Sequence, residues 1–374
     1  MAGKVSISAY QAMWYQVGIV LATAILFVPA IVAADARQDA WLSLVPAYLF
    51  GSLQVYVATR LAQRFPGETV VQYAPRVAGR VPGKLIAFVY VFYFFFVGYF
   101  VQQEFAALMA SGYMPLTPPV VFMLVLAGLA AYAAYGGLEV ICRVNTLVLS
   151  VALAALVIVF LLVVKDIKIW RFLPVLENGP EPVVLGALPP GGWFGETAVI
   201  LMLYPFIADK EKAVRAGLLA VFLLFLAMEL VVVSSLGLEG PLEAARFLFP
   251  TFNVVRRIRL EALPILERQD AVFMMIWVAA MMVKLTTFFF AAVLGLAQWA
   301  GARDHRTLIL PAAAVMTALA VQAWKNIPEL FAFSSEVFPL TIIFVNFFCT
   351  VLVLALAVAR GIAGSPAGRG GERG

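Results

Sequence analysis

Apolar runs long enough to cross a bilayer recur along the chain, separated by short polar or Pro/Gly-rich breaks. A spanning helix needs roughly 20 such residues. The pattern predicts ten: residues 8–34, 40–63, 83–110, 118–135 and 139–164, then, after a longer polar loop, 193–208, 213–237, 270–301, 306–324 and 334–360. From Gly361 onward the chain is rich in Gly, Arg, Ser and Pro, so residues 361–374 are predicted to be a disordered tail. Residues 238–269 fit neither class. They set Arg246, Arg256, Arg257 and Arg259 among Phe247, Leu248, Phe249, Phe252, Ile258 and Leu260, too charged to span and too apolar for free coil. Amphipathic helices lying at the membrane surface fit this stretch; a solvated loop is the alternative.

Composition agrees. Hydrophobic residues make up 64% of the chain, charged residues only 13%, and mean hydropathy is +0.98. Soluble domains carry about 25% charge, so an all-α integral membrane protein is predicted. The net charge of +5 implies no nucleic-acid partner, because the basic residues fall in loops beside helices. The apolar run from Ala9 to Ala34 is too long for a cleaved signal and is interrupted by Gln11, Gln16 and Thr23, which favours a first spanning helix. Cys142 and Cys349 lie in separate apolar stretches and give no disulfide framework. No nucleophile–base pair, phosphate loop or metal-ligand cluster is present, so neither catalysis nor a cofactor nor a metal is predicted. Arg60, Arg64, Arg76, Arg80 and Lys84 crowd the loop after the second helix, which places both termini in the cytoplasm.

Five helices precede the loop 165–192 and five follow it, so residues 193–360 enter from the side opposite to residues 1–164. That is the inverted repeat of secondary transporters, whose sites lie where the first helix of each half is broken. Gly18, the cluster Ala22-Thr23-Ala24 and Pro29 predict a break in the first helix. Gly191-Gly192, Gly195 and Tyr204-Pro205 predict one in the sixth. Kinks without a site are the alternative.

These features, in order, resemble the spore-germination permease family, the B-type subunit of nutrient germinant receptors, within the amino acid–polyamine–organocation superfamily. The resemblance runs from about Ile7 to Arg360. It is carried by Ala22-Thr23-Ala24-Ile25-Leu26-Phe27-Val28-Pro29, Asp35, Asp39-Ala40-Trp41, Gly195-Glu196, Pro205, Arg246-Phe247-Leu248-Phe249-Pro250, Leu266-Glu267-Arg268-Gln269-Asp270 and Trp277. It departs where relatives carry glycine and this chain has Ala22 and Ala24. The resemblance implies a LeuT-like fold, a small nutrient ligand such as an amino acid, A- and C-type partner subunits and the inner membrane of the spore. An autonomous amino-acid transporter coupled to protons or sodium is the alternative.

Ala22, Thr23, Ala24, Tyr99, Gln103, Met202 and Tyr204 are the candidate ligand contacts. Thr23 could instead bond back to its own helix, and Tyr204 could simply pack. Glu104, Glu196 and Glu336 could form an acidic outer vestibule for an ammonium group, or be separate surface carboxylates. Lys284 is alone among apolar residues near the middle of the eighth helix, where a cation costs at least about 3 kcal/mol. Glu229 and the carbonyls around residues 18–22 are its candidate partners. The resemblance implies that Lys284, with Thr286 and Thr287, replaces a coupling sodium ion between the first and eighth helices; a permanent brace is the alternative.

Overall fold

The computed structural model describes residues 6–258 and 269–364. Its first helix, α1 (Ala9–Ala36), shows how local sequence sets each element. Ser8 caps it reciprocally: its Oγ accepts from Gln11 N at 3.1 Å, and Gln11 Oε1 accepts from Ser8 N at 2.9 Å. Asp209 Oδ1 takes the amide of Ala9 at 2.6 Å, and Ile7 pairs with Ile207 through the carbonyl of Phe206 and the amide of Ala208. Burial raises the Asp209 carboxyl, but the amides of Ala9 and Asp209 and nearby Lys212 outweigh it and hold it below the usual carboxylate range. This clamp is complete above about pH 4 and weakens as pH falls through that lowered value.

The other helices follow in order: α2 (Ala40–Arg64), α3 (Val70–Ala78), α4 (Arg80–Gly112), α5 (Pro119–Gly136), α6 (Leu138–Val163), α7 (Glu181–Gly186), α8 (Leu188–Gly195), α9 (Ile200–Leu203), α10 (Ala213–Glu239), α11 (Pro241–Arg246), α12 (Pro250–Arg257), α13 (Gln269–Ala300), α14 (Ile309–Ala323), α15 (Ile327–Ile343) and α16 (Thr350–Ala359). Among the described residues, eight helical runs are long and apolar enough to cross a membrane. The longest, Ala9–Arg64, contains both α1 and α2, separated by a short 3-10 turn and by Arg37 at φ 51°. Residues 188–206 form a further, segmented helix, which with α1 and α2 taken separately gives ten helical stretches of about crossing length among the described residues.

α1 is the axis of the bundle. It is apolar on every side and buried through almost its whole length, packing on α2, α6, α8, α10 and α13. α6 is the opposite case: equally apolar, but with few buried positions, as suits a helix facing lipid. α4 and α13 pack along each other, and α15 lies on α8.

Several expectations change. The first helix is not interrupted at Ala22–Ala24; α1 stays α-helical, since alanine lacks the backbone freedom of glycine. The sixth helix starts at Leu188, earlier than expected, because Pro189 and Pro190 are tolerated in a first turn. It is tightened into 3-10 geometry at Glu196–Val199 and Tyr204–Phe206. α3 was not expected, and the last crossing begins at Ile327 and carries a π turn, Phe344–Cys349. In the amphipathic stretch α11 and α12 are helical; residues 259–268 lie outside the described residues. Of the tail, residues 365–374 lie outside them too, while Gly364 docks on α2 through the carbonyl of Arg64 at 2.7 Å.

The approach of α8 to α15 depends on Gly192, where an added Cβ would stand 2.6 Å from Pro339 Cα. At Gly128 on α5 the same atom meets nothing within 4 Å. Gly192→Ala is predicted to destabilise by about 1–3 kcal/mol. Gly128→Ala should be neutral or stabilising by up to about 1 kcal/mol. Thermal unfolding in detergent separates them, and equal effects would disprove the close packing.

Candidate functional site

Lys284 occupies the middle of α13, about 22 Å from its start. Its side chain is fully buried. An ammonium there needs three acceptors, and it has them: Glu196 Oε2 at 2.8 Å, Glu196 Oε1 at 3.0 Å and Thr23 Oγ1 at 2.7 Å. The ring of Phe288, one turn along α13, lies 5.9 Å from Nζ. Thr23 also accepts from the indole of Trp193 at 3.1 Å, while the indole of Trp277 donates to the Ala22 carbonyl at 2.8 Å. The centre of α1 is thereby bonded to both α8 and α13.

The segment that carries Glu196 is held from outside. Gln54 on α2 donates to the Gly191 carbonyl at 2.9 Å, and Asn346 in the π turn donates to the Gly195 carbonyl at 3.0 Å and to Tyr93 Oη at 2.8 Å. A 3-10 stretch inside a longer helix and a π turn beside it are both features found at hinges and functional sites. Aromatic rings close the surroundings: Trp193 lies 5.3 Å from Phe338, which stacks on Phe100 at 4.3 Å.

Two readings of the charged residues are corrected. Lys284 pairs with Glu196 and not with Glu229, which is half-buried on α10, a helix packed chiefly on α1 and α2. Nor do the three carboxylates form an outer vestibule. Glu196 and Glu104 are completely buried, whereas Glu336 is exposed and shares a cavity of about 370 Å³ with Asp35. Glu104 opens to no vestibule because α12 covers the nearer end of α4 through Phe252, 5.3 Å from Tyr113.

The remaining candidates are scattered. Ala22 and Ala24 are buried on α1, and Ala22 lines an apolar cavity of about 250 Å³ between α1, α6, α12 and α13. Tyr99 packs against Phe96 and Trp324, and Gln103 donates to the Ala320 carbonyl at 2.5 Å. Met202 is buried near Gly295. Tyr204 lies by the start of α1, its hydroxyl 3.4 Å from the Lys210 carbonyl. Thr286 and Thr287 donate back to their own helix, to the carbonyls of Met282 and Val283. Trp193, Gln54 and Asn346 escaped sequence reasoning. Their signal was a polar handle in an apolar segment, which a buried indole or amide must satisfy.

A family model described as "Spore germination protein" matches residues 6–330. Spore germination protein KB of Bacillus subtilis (strain 168) is 23% identical over 313 residues, 83% of each chain. Spore germination protein YndE of the same organism is 23% identical over 296 residues, 78% of this chain and 80% of YndE. Among solved structures, MhsT in complex with L-phenylalanine aligns with a TM-score of 0.68 at 12% identity, covering 95% of this chain and 99% of MhsT. Mhp1, a nucleobase-cation-symport-1 family transporter with bromovinylhydantoin bound, gives 0.55 at 14% identity over 88% and 75%. At such identities these two structures establish the shared LeuT-type fold.

Removing one partner of a buried pair strands the other. Lys284→Met is predicted to destabilise the protein by about 3–5 kcal/mol, and joining it to Glu196→Leu should restore most of that loss. Unfolding of the single and double variants in detergent measures the coupling; additive losses would show that the two side chains do not depend on each other.

Proposed function

The chain belongs to the spore germination protein family and is an integral membrane protein of LeuT-type fold, and from that premise we propose that it is the transporter-like subunit of a nutrient germinant receptor. It binds a small nutrient, an amino acid, near the membrane midplane and passes a change of conformation to A- and C-type partner subunits. It resides in the inner membrane of the spore, with both termini on the cytoplasmic side, where the arginines around α2 and α3 favour retention. Residues 1–164 and 193–360 form the two inverted halves. The pairing of Ile7 with Ile207 supports inversion, because α1 starts at the end of the bundle where the segment 188–206 finishes.

The observation that carries this reading is the buried Thr23–Lys284–Glu196 junction. A passive membrane scaffold has no need of an ion pair at its least polar point. A junction joining α1, the segmented helix and α13 has two arrangements open to it, closed and parted, and a nutrient with higher affinity for one shifts the balance. The candidate contacts at this junction are Ala22, Thr23 and Ala24; Met202, Tyr99, Gln103 and Tyr204 lie away from it. Lys284, flanked by Thr286 and Thr287, supplies a fixed cation where a sodium-coupled transporter of the same architecture would hold an ion.

Spores whose receptor carries Thr23→Val test the proposal against a nutrient panel. Loss of a hydrogen bond to a charged group, about 1.5–3 kcal/mol, should shift the nutrient concentration for half-maximal germination by about 10- to 100-fold. Unchanged germination, with nutrient uptake by vesicles holding this chain alone, would make it an autonomous transporter.

A further inference from the structure

Glu104 on α4 is completely buried, and neither of its carboxyl oxygens has a hydrogen-bond partner among the described residues. It lies within electrostatic reach of both Lys284 on α13 and Glu196 in the segmented helix. Among the described residues no other titratable group acts on it. α14 carries none; the tyrosines of α5 and the carboxylates of α15 are at exposed positions; Tyr73 and Arg76 belong to α3, beside the opposite end of α4.

The charge count decides what this cluster requires. Two carboxylates and one ammonium leave one net negative charge, and an unpaired ion deep in a low-dielectric interior costs several kcal/mol. Glu196 already takes two of the three donors of Lys284, and Thr23 takes the third. Glu104 is therefore the member that lacks a cation. Two cations could meet the need: a proton, or a positively charged group of a ligand.

We propose that both do so in turn: Glu104 carries a proton in the closed arrangement and gives it up when the primary ammonium of a ligand takes its place. The neutral acid and the incoming alkylammonium become a carboxylate–ammonium pair, and the released proton goes to water, so charge and atoms balance. The rest of the ligand has a nearby chamber. Trp277 stacks on Phe105, the residue after Glu104, at 5.7 Å, and also lines the apolar cavity of about 250 Å³, together with Leu21, Ile25, Leu149 and Phe273. A primary amine with an apolar body is the ligand class that fits. This inference rests on the nutrient-binding reading and specifies its chemistry.

The test uses the full chain in lipid nanodiscs and two matched sets of probes: L-leucine, isoamylamine and isocaproate, then L-phenylalanine, phenethylamine and hydrocinnamate. Calorimetric titration in buffers of different ionisation enthalpy reads affinity and proton release together. The amino acids and amines should bind with release of about one proton, and the deaminated acids should not bind. Glu104→Gln, which imitates the protonated acid, should keep the wild-type unfolding temperature, bind the amines at least about tenfold more weakly and release no proton. Binding of the acids, binding of amines without proton release, or no binding by any ammonium-bearing probe would each overturn the inference. Germination of Thr23→Val spores judges the receptor reading separately.

Discussion

An ammonium ion at the centre of a membrane helix must find three acceptors or stay out of the bilayer, and the middle of this protein is arranged around that requirement. Thr23 and Glu196 answer it from two other helices, so α1, α13 and the segment 188–206 meet at one atom. The demand spreads outward. A carboxylate aimed at Lys284 sits at the head of a 3-10 turn, and the Gly195 carbonyl just before that turn is taken by Asn346 from a π turn. Two departures from α-helical geometry thus serve one cation. Such pairs add little net stability; what this one fixes is which residues face each other across the bundle.

The parts that hold the junction and the parts that face away from it differ in kind. α1 has no free face, so it moves only if the helices around it move. α6 exposes most of its surface and touches the core at a few positions such as Cys142 and Asn145, so one wall of the apolar cavity is held by few contacts. The LeuT-type fold supplies this contrast between axis and wall, and the charges decide where along the axis it matters.

Much of the fold was legible because spanning length and hydropathy are local properties, and Lys284 was legible because it had no rival in its helix. Its partner was not. Glu196 lies 88 residues away, and the run Pro189-Pro190-Gly191-Gly192 reads as loop although two prolines fit a helix's first turn. Starting that helix too late put Glu196 at a surface end instead of in the interior. Glu104 was misread as a vestibule carboxylate for a related reason: nothing in the sequence around it shows that another element, here α12, covers that end of α4. The uninterrupted α1 shows that Gly18, Ala22-Thr23-Ala24 and Pro29 do not by themselves break a helix that is packed on every side.

The clamp at the start of α1 bears on how the chain is made. The residue that secures Ala9 is 200 positions downstream, so at about 5–20 residues per second α1 spends roughly 10–40 s in the bilayer before Asp209 is synthesised. α1 carries no charge between Ala9 and Val32, and that neutrality makes the wait tolerable. Glu196 follows, 88 residues before Lys284. Because the acid is synthesised first, the lysine never needs to cross lipid as a lone cation. The order of the residues along the chain is also an order of insertion, and it brings the one buried lysine of the junction in after both groups that accept from it.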